Sequence, residues 1–165
     1  MLKERIQQDL VSVMKQGNKE EVTILRTLLS SVLNKEKEKR YGIAKIKPDL
    51  TERELENESK LTDEETLGVI SGETKKIKEA IEDFGRGGRE DLVEKETKEL
   101  KILKRYLPAE WPEEEIRKKA AEVISDQDAK EIKDMGRVIA QIMAEAKGRA
   151  DGGVVAKIVK ELLQK

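Results

Sequence analysis

The sequence predicts an all-α protein, an N-terminal four-helix lobe followed by a C-terminal three-helix bundle, and three observations carry that expectation. Apolar residues recur at three- and four-residue spacings through most of the chain. Capping residues and glycines stand where the apolar stretches must begin and end. Aromatics are 2% of the 165 residues against 36% apolar overall. The core must then be aliphatic, which suits helix packing better than a sheet sandwich.

Leu2, Ile6, Leu10 and Val13 mark a first helix over 2–16, and Gly17 is placed to end it in the left-handed conformation. Asn18 with Glu21 is a capping pair for a second helix that buries Val22, Leu25, Leu29 and Val32. Residues 34–40 are almost pure charge. Residues 41–61, with Gly42, Pro48 and weak periodicity, read as a long mobile connection or insertion in which Thr51–Glu54 can cap a short helix. Thr62–Glu65 is a capping box opening a third helix, with Leu67, Ile70, Ile77, Ile81 and Phe84 inward and Gly85 as its stop. Gly68 and Gly72 inside it point to a close helix crossing or, second, a bend. A glycine-rich turn, 85–89, leads to a fourth helix that uses Val93, Leu100, Leu103 and Leu107 and ends at Pro108.

The boundary falls here: residues 1–108 form one domain and 109–165 another. Pro112 suits the first position of a fifth helix carrying Ile116, Ala120, Val123 and Ile124. A sixth carries Met135, Val138, Ile139, Ile142 and Met143. A seventh, with Asp151 as its N-cap, carries Val155, Ile158, Val159 and Leu162.

Composition restricts the chemistry. Neither cysteine nor histidine is present, which removes disulfides, thiolate nucleophiles, imidazole bases and zinc sites built on those ligands. Lys+Arg at 34 nearly balance Asp+Glu at 35, the pattern of solvated helix faces. No carboxylate pair is singled out by its spacing, so neither a catalytic residue nor a metal ligand is named, and no cofactor is expected. Ser30-Ser31 lies within a helical stripe and lacks the glycine turn of a serine nucleophile loop. No apolar run approaches the length of a membrane span, and the expected location is cytoplasmic.

Two basic turns remain. Arg86 and Arg89 flank Gly87-Gly88, a possible anion contact, although a tight interhelical turn without a Walker pattern is the better reading. Lys147-Gly148-Arg149-Ala150-Asp151 places two cations, expected to project freely, at the tip of the C-terminal bundle. From 130 to 165 eight basic residues face five acids, whereas 113–129 hold six acids and three bases. This polarity is the weak form of a nucleic-acid footprint. Trp111 is expected to pack over the joint between lobes rather than to stack on bases.

Lys133-Asp134-Met135-Gly136-Arg137-Val138, Lys147-Gly148-Arg149-Ala150-Asp151-Gly152-Gly153, Phe84-Gly85, Gly88-Arg89-Glu90-Asp91-Leu92-Val93, Tyr106-Leu107-Pro108 and Glu113-Glu114-Glu115-Ile116 together resemble the GatB/YqeY family, in its stand-alone YqeY-like branch. Pro112, where a Ser or Thr cap is usual, and Gly68 and Gly72 depart from it. The resemblance implies a relation to the tail domain of the B subunit of glutamine-dependent tRNA amidotransferases, a carbon–nitrogen ligase with glutamine as amido-N-donor. By that relation the module approaches tRNA, and Arg137, Lys147, Arg149 and Lys157 match its basic positions. Amide transfer and glutamine hydrolysis belong to parts this chain lacks. The expected function is therefore a non-catalytic accessory binding tRNA or another structured RNA, with amidotransferase or aminoacyl-tRNA synthetase components as further partners. The alternative is a helical adaptor, without RNA contact, whose groove between lobes holds a partner helix.

Overall fold

The computed structural model describes residues 1–164, and every regular element in them is helical: α1 (Leu2–Gln16), α2 (Lys19–Ile46), α3 (Glu52–Glu58), α4 (Asp63–Arg86), α5 (Glu90–Lys104), α6 (Glu113–Asp126), α7 (Met135–Ala146) and α8 (Gly152–Leu163), with a 3-10 turn at Ile132–Asp134 before α7. The all-α expectation holds. The chain divides into two compact units, Met1–Tyr106 and Leu107–Lys165.

In the first unit α1 and α2 form a hairpin closed by Gly17, whose φ of 76° is the left-handed value glycine takes without strain. Asn18 accepts from the Glu21 amide, as its spacing requires. The unit holds five helices rather than four, and the expected mobile connection at 41–61 is largely helix. α2 runs unbroken through the charged stretch to Ile46, and α3 begins within six residues, opened by a complete Thr51–Glu54 capping box. Helix propensity and ion pairing both favour it. Lys and Glu are good helix formers. Lys39 to Glu65 (2.7 Å) and Lys47 to Glu58 (2.6 Å) tie the outer half of α2 to the first turn of α4 and to α3.

The inner face of α2 continues past its apolar stripe to Glu36, which is 7% exposed. Its carboxylate receives Lys3 of α1 at 2.8 and 2.7 Å and the Leu61 amide at 3.4 Å. A charge taken out of water needs such partners. At the unit's end, buried Tyr106 donates its hydroxyl to Asp9 at 2.8 Å while the Arg5 guanidinium lies over its ring. Burial, then the Asp9 carboxylate, pushes the phenol well above its usual value.

Three boundaries shift. α4 continues through Gly85 to Arg86 before the turn at Gly87-Gly88. α5 ends at Lys104, and the Arg105 and Tyr106 amides donate back to Ile102 and Leu103 well before Pro108. Pro112 is the N-cap of α6, not its first helical residue, with φ −57° and ψ 150°. The close crossing expected at Gly68 and Gly72 is absent as well, because a Cβ at either position would meet nothing within 4 Å.

The second unit is a three-helix bundle in which α6, α7 and α8 all touch. Its core is continuous from Trp111 through Ile116, Val123, Val138 and Ile142 to Val155, Ile158 and Val159.

Candidate nucleic-acid interface

The α7–α8 turn is assembled from backbone geometry first. Lys147 (φ 46°) and Gly148 (φ 84°) both take the left-handed conformation and reverse the chain in a few residues. Asp151 then caps α8, its Oδ1 accepting from the Gly153 amide at 2.9 Å and the Val154 amide at 3.3 Å. Trp111 closes the turn from below. Its amide donates to the Arg149 carbonyl at 2.6 Å, and its ring, 9% exposed, belongs to the bundle core.

Arg149 does not project freely, contrary to expectation. Its guanidinium lies 4.8 Å over the Trp111 ring and its Nε donates to the Ala146 carbonyl at 3.4 Å. A guanidinium is weakly hydrated and planar, so an indole face and a helix-terminal carbonyl hold it well. Arg149 therefore braces the turn, and Lys147 is the exposed cation beside it.

Arg137 stands at the other end of α7, roughly 15 Å from Lys147 along the helix by the rise per residue. It pairs with Asp134 at 3.2 Å and donates to the Gln127 carbonyl at 3.2 Å. Asp134 is in turn held below the ordinary carboxylate range, first by the Lys130 and Glu131 amides and then by Arg137 and Lys133. The four sequence-identified positions are thus spread along the bundle. Only Lys147 and Arg149 share a turn.

Sequence reasoning gave no separate role to Lys160. With Lys157 it lies on the exposed side of α8, one turn further along, and Val154 precedes them at the same spacing. Neither lysine makes an ion pair among the described residues, whereas Arg117, Lys119, Lys130, Lys133 and Arg137 of the same unit all do. The one acid of α8, Glu161, is taken by Arg117 at 2.8 Å. The signal was present as a Lys-x-x-Lys spacing in a helix nearly devoid of acids.

The other basic turn is internally neutralised. Arg89 chelates Asp91 through Nε at 3.0 Å and Nη2 at 2.9 Å, and Arg86 pairs with Asp83. Ser30 donates to the Arg26 carbonyl within α2. Among the described residues no group of three acidic side chains is placed to hold a metal ion, and no helix is long and apolar enough to cross a membrane. An open groove of about 740 Å³ in the first unit runs beside Gly68, Val69 and Gly72 of α4, with Leu61 and the Lys39–Glu65 pair on its walls.

Residues 33–163 match the family model described as Yqey-like protein. A protein of Pyrenophora tritici-repentis named "Altered inheritance of mitochondria protein 41, mitochondrial" is 28% identical over 96% of this chain and 79% of its own length. An uncharacterised protein of Schizosaccharomyces pombe is 34% identical over 53% of this chain and 72% of its own length. The chain belongs to the YqeY-like family.

Proposed function

We infer that this YqeY-like protein is an accessory RNA-binding protein that contacts tRNA or a similarly structured RNA through its second unit. The observation that carries the reading is the α8 strip of Lys157 and Lys160, two exposed cations without a carboxylate among the described residues, in a unit that neutralises five of its other cations internally. Lysine ammonium groups on a rigid helix, one turn apart, suit phosphates of a backbone and carry no base information. Lys147 is a further exposed cation of the same unit, at the α7–α8 turn. Arg149 and Trp111 fix that turn, and Arg137 contributes once Asp134 yields it. The resemblance of the sequence to the tail of the tRNA amidotransferase B subunit is what suggests the RNA class, and the reading assigns the chain no bond-making step.

Equilibrium binding of unfractionated tRNA across a salt series tests this. Contact with two or three phosphates gives a log–log slope of roughly −2 to −3, at about −0.9 per phosphate. Affinity that does not change with salt contradicts the reading.

A further inference from the structure

The Arg149 guanidinium rests on two weak partners, the Trp111 ring at 4.8 Å and the Ala146 carbonyl, which accepts from Nε at 3.4 Å. Neither is an anion. A phosphate offers the same planar fork two charge-assisted hydrogen bonds, which are stronger than a stacked ring and one long bond to a carbonyl.

Trp111 relies on that cover. The residue is 9% exposed, and its buried Nε1 meets no acceptor among the described residues. An indole N–H kept from water without a partner is costly. The ring therefore stays seated for its apolar contacts and for the guanidinium across its face, and its N–H gains an acceptor once it reaches water. The chain it anchors has few other ties. Residues 107–112 include Pro108 and Pro112, which have no N–H, and the Trp111 amide binds the segment to the turn through the Arg149 carbonyl at 2.6 Å. The turn itself does not need the guanidinium. The Arg149 amide donates to the Ala146 carbonyl at 2.9 Å, and Asp151 caps α8 independently.

We propose that Arg149 is a switch between Trp111 and RNA: a phosphate at the α7–α8 turn draws the guanidinium off the indole, uncovers Trp111 and loosens the 107–112 segment that leads into α6. The switch rests on the RNA reading above and adds to it a coupling from the bound phosphate to the chain entering the bundle. The phosphate bonds Arg149 only in the withdrawn position, and that differential contact is what drives the change.

The chain has one tryptophan, so its emission reports the switch without a label. Wild-type protein is titrated with unfractionated tRNA, and binding is followed separately by the anisotropy of end-labelled tRNA. As the complex forms, emission is expected to shift to longer wavelength, acrylamide quenching to rise and cleavage by endoproteinase Glu-C after Glu110 to quicken. RNA that only covered the surface would lower quenching and slow cleavage. Arg149→Ala, checked for folding by circular dichroism, is expected to show red-shifted, readily quenched emission without RNA and no further shift on binding. Bound tRNA that leaves the Trp111 signal unmoved, or shields it, overturns the switch and leaves the RNA reading standing; tRNA that does not bind overturns both. An Arg149→Ala chain whose tryptophan is as shielded as in the wild type also overturns the switch.

Discussion

The two units bury twelve apolar residues each, but the first spreads them over 106 residues and the second over 59. The second is accordingly a conventional bundle held by one aliphatic core. The first is held at its margins by polar fasteners: Lys3 to Glu36, Lys39 to Glu65, Arg105 to Glu21 at 2.6 Å and Tyr106 to Asp9. The contrast teaches that a charge-rich surface has different uses in the two halves. In the first, charges join helices. In the second, Arg117 to Glu161 likewise joins α6 to α8, but Lys157 and Lys160 are left to face solvent.

The largest effect should come from the denser core. Ile142→Ala, at a side chain 1% exposed, is expected to cost about 2–5 kcal/mol in chemical denaturation because the closed bundle cannot collapse into the cavity. A loss under about 1 kcal/mol would mean the second unit is as loosely filled as the first.

The polar fasteners come next. Glu36→Ala removes the carboxylate that Lys3 and the Leu61 amide share and is expected to cost about 2–3 kcal/mol, Lys3 being able to turn partly to water. An unchanged melting curve would show that the first unit does not rely on this pair.

Tyr106→Phe should cost about 1 kcal/mol through the lost bond to Asp9, with a pH signature. The folded phenol is raised above the unfolded value of 10.0. Its contribution is therefore whole below that pH and is lost as pH rises above it, since the unfolded chain releases the proton first. Stability titrated from about pH 8 upward should fall more steeply for the wild type than for Tyr106→Phe. Parallel curves would remove Tyr106 from the account.

Smallest, and opposite in sign, is Gly68→Ala. With open space at the Cβ and a helical backbone, it should raise the thermal stability by roughly 0.5–1 kcal/mol. Destabilisation would reveal a close contact in the first unit.

Locally encoded features were legible in the sequence. Asn18, Thr51, Thr62 and Asp151 cap as their spacing to the next residues requires, because a cap is settled within four residues. The apolar stripes of α6, α7 and α8 were read for the same reason. The outer half of α2 was not, because its apolar periodicity stops at Val32 and its support comes from Glu65 and Glu58, partners distant in sequence. Glu36 continues the stripe four residues after Val32, but a charged residue there becomes an inward position only once Lys3 is known to meet it. In the candidate site, the basic turn was visible and the brace within it was not. Arg149 reads as a projecting cation until the fold brings Trp111, 38 positions earlier, beneath it.

The central claim, that the second unit and not the first meets RNA, is tested most directly by a matched pair of charge reversals measured for tRNA affinity at fixed salt. Lys157→Glu with Lys160→Glu on α8 is compared with Lys98→Glu with Lys101→Glu on α5, so that net charge changes equally. The α8 variant should bind about tenfold or more weakly while the α5 variant stays within about twofold of wild type. Equal losses, or a greater loss from α5, would contradict the claim.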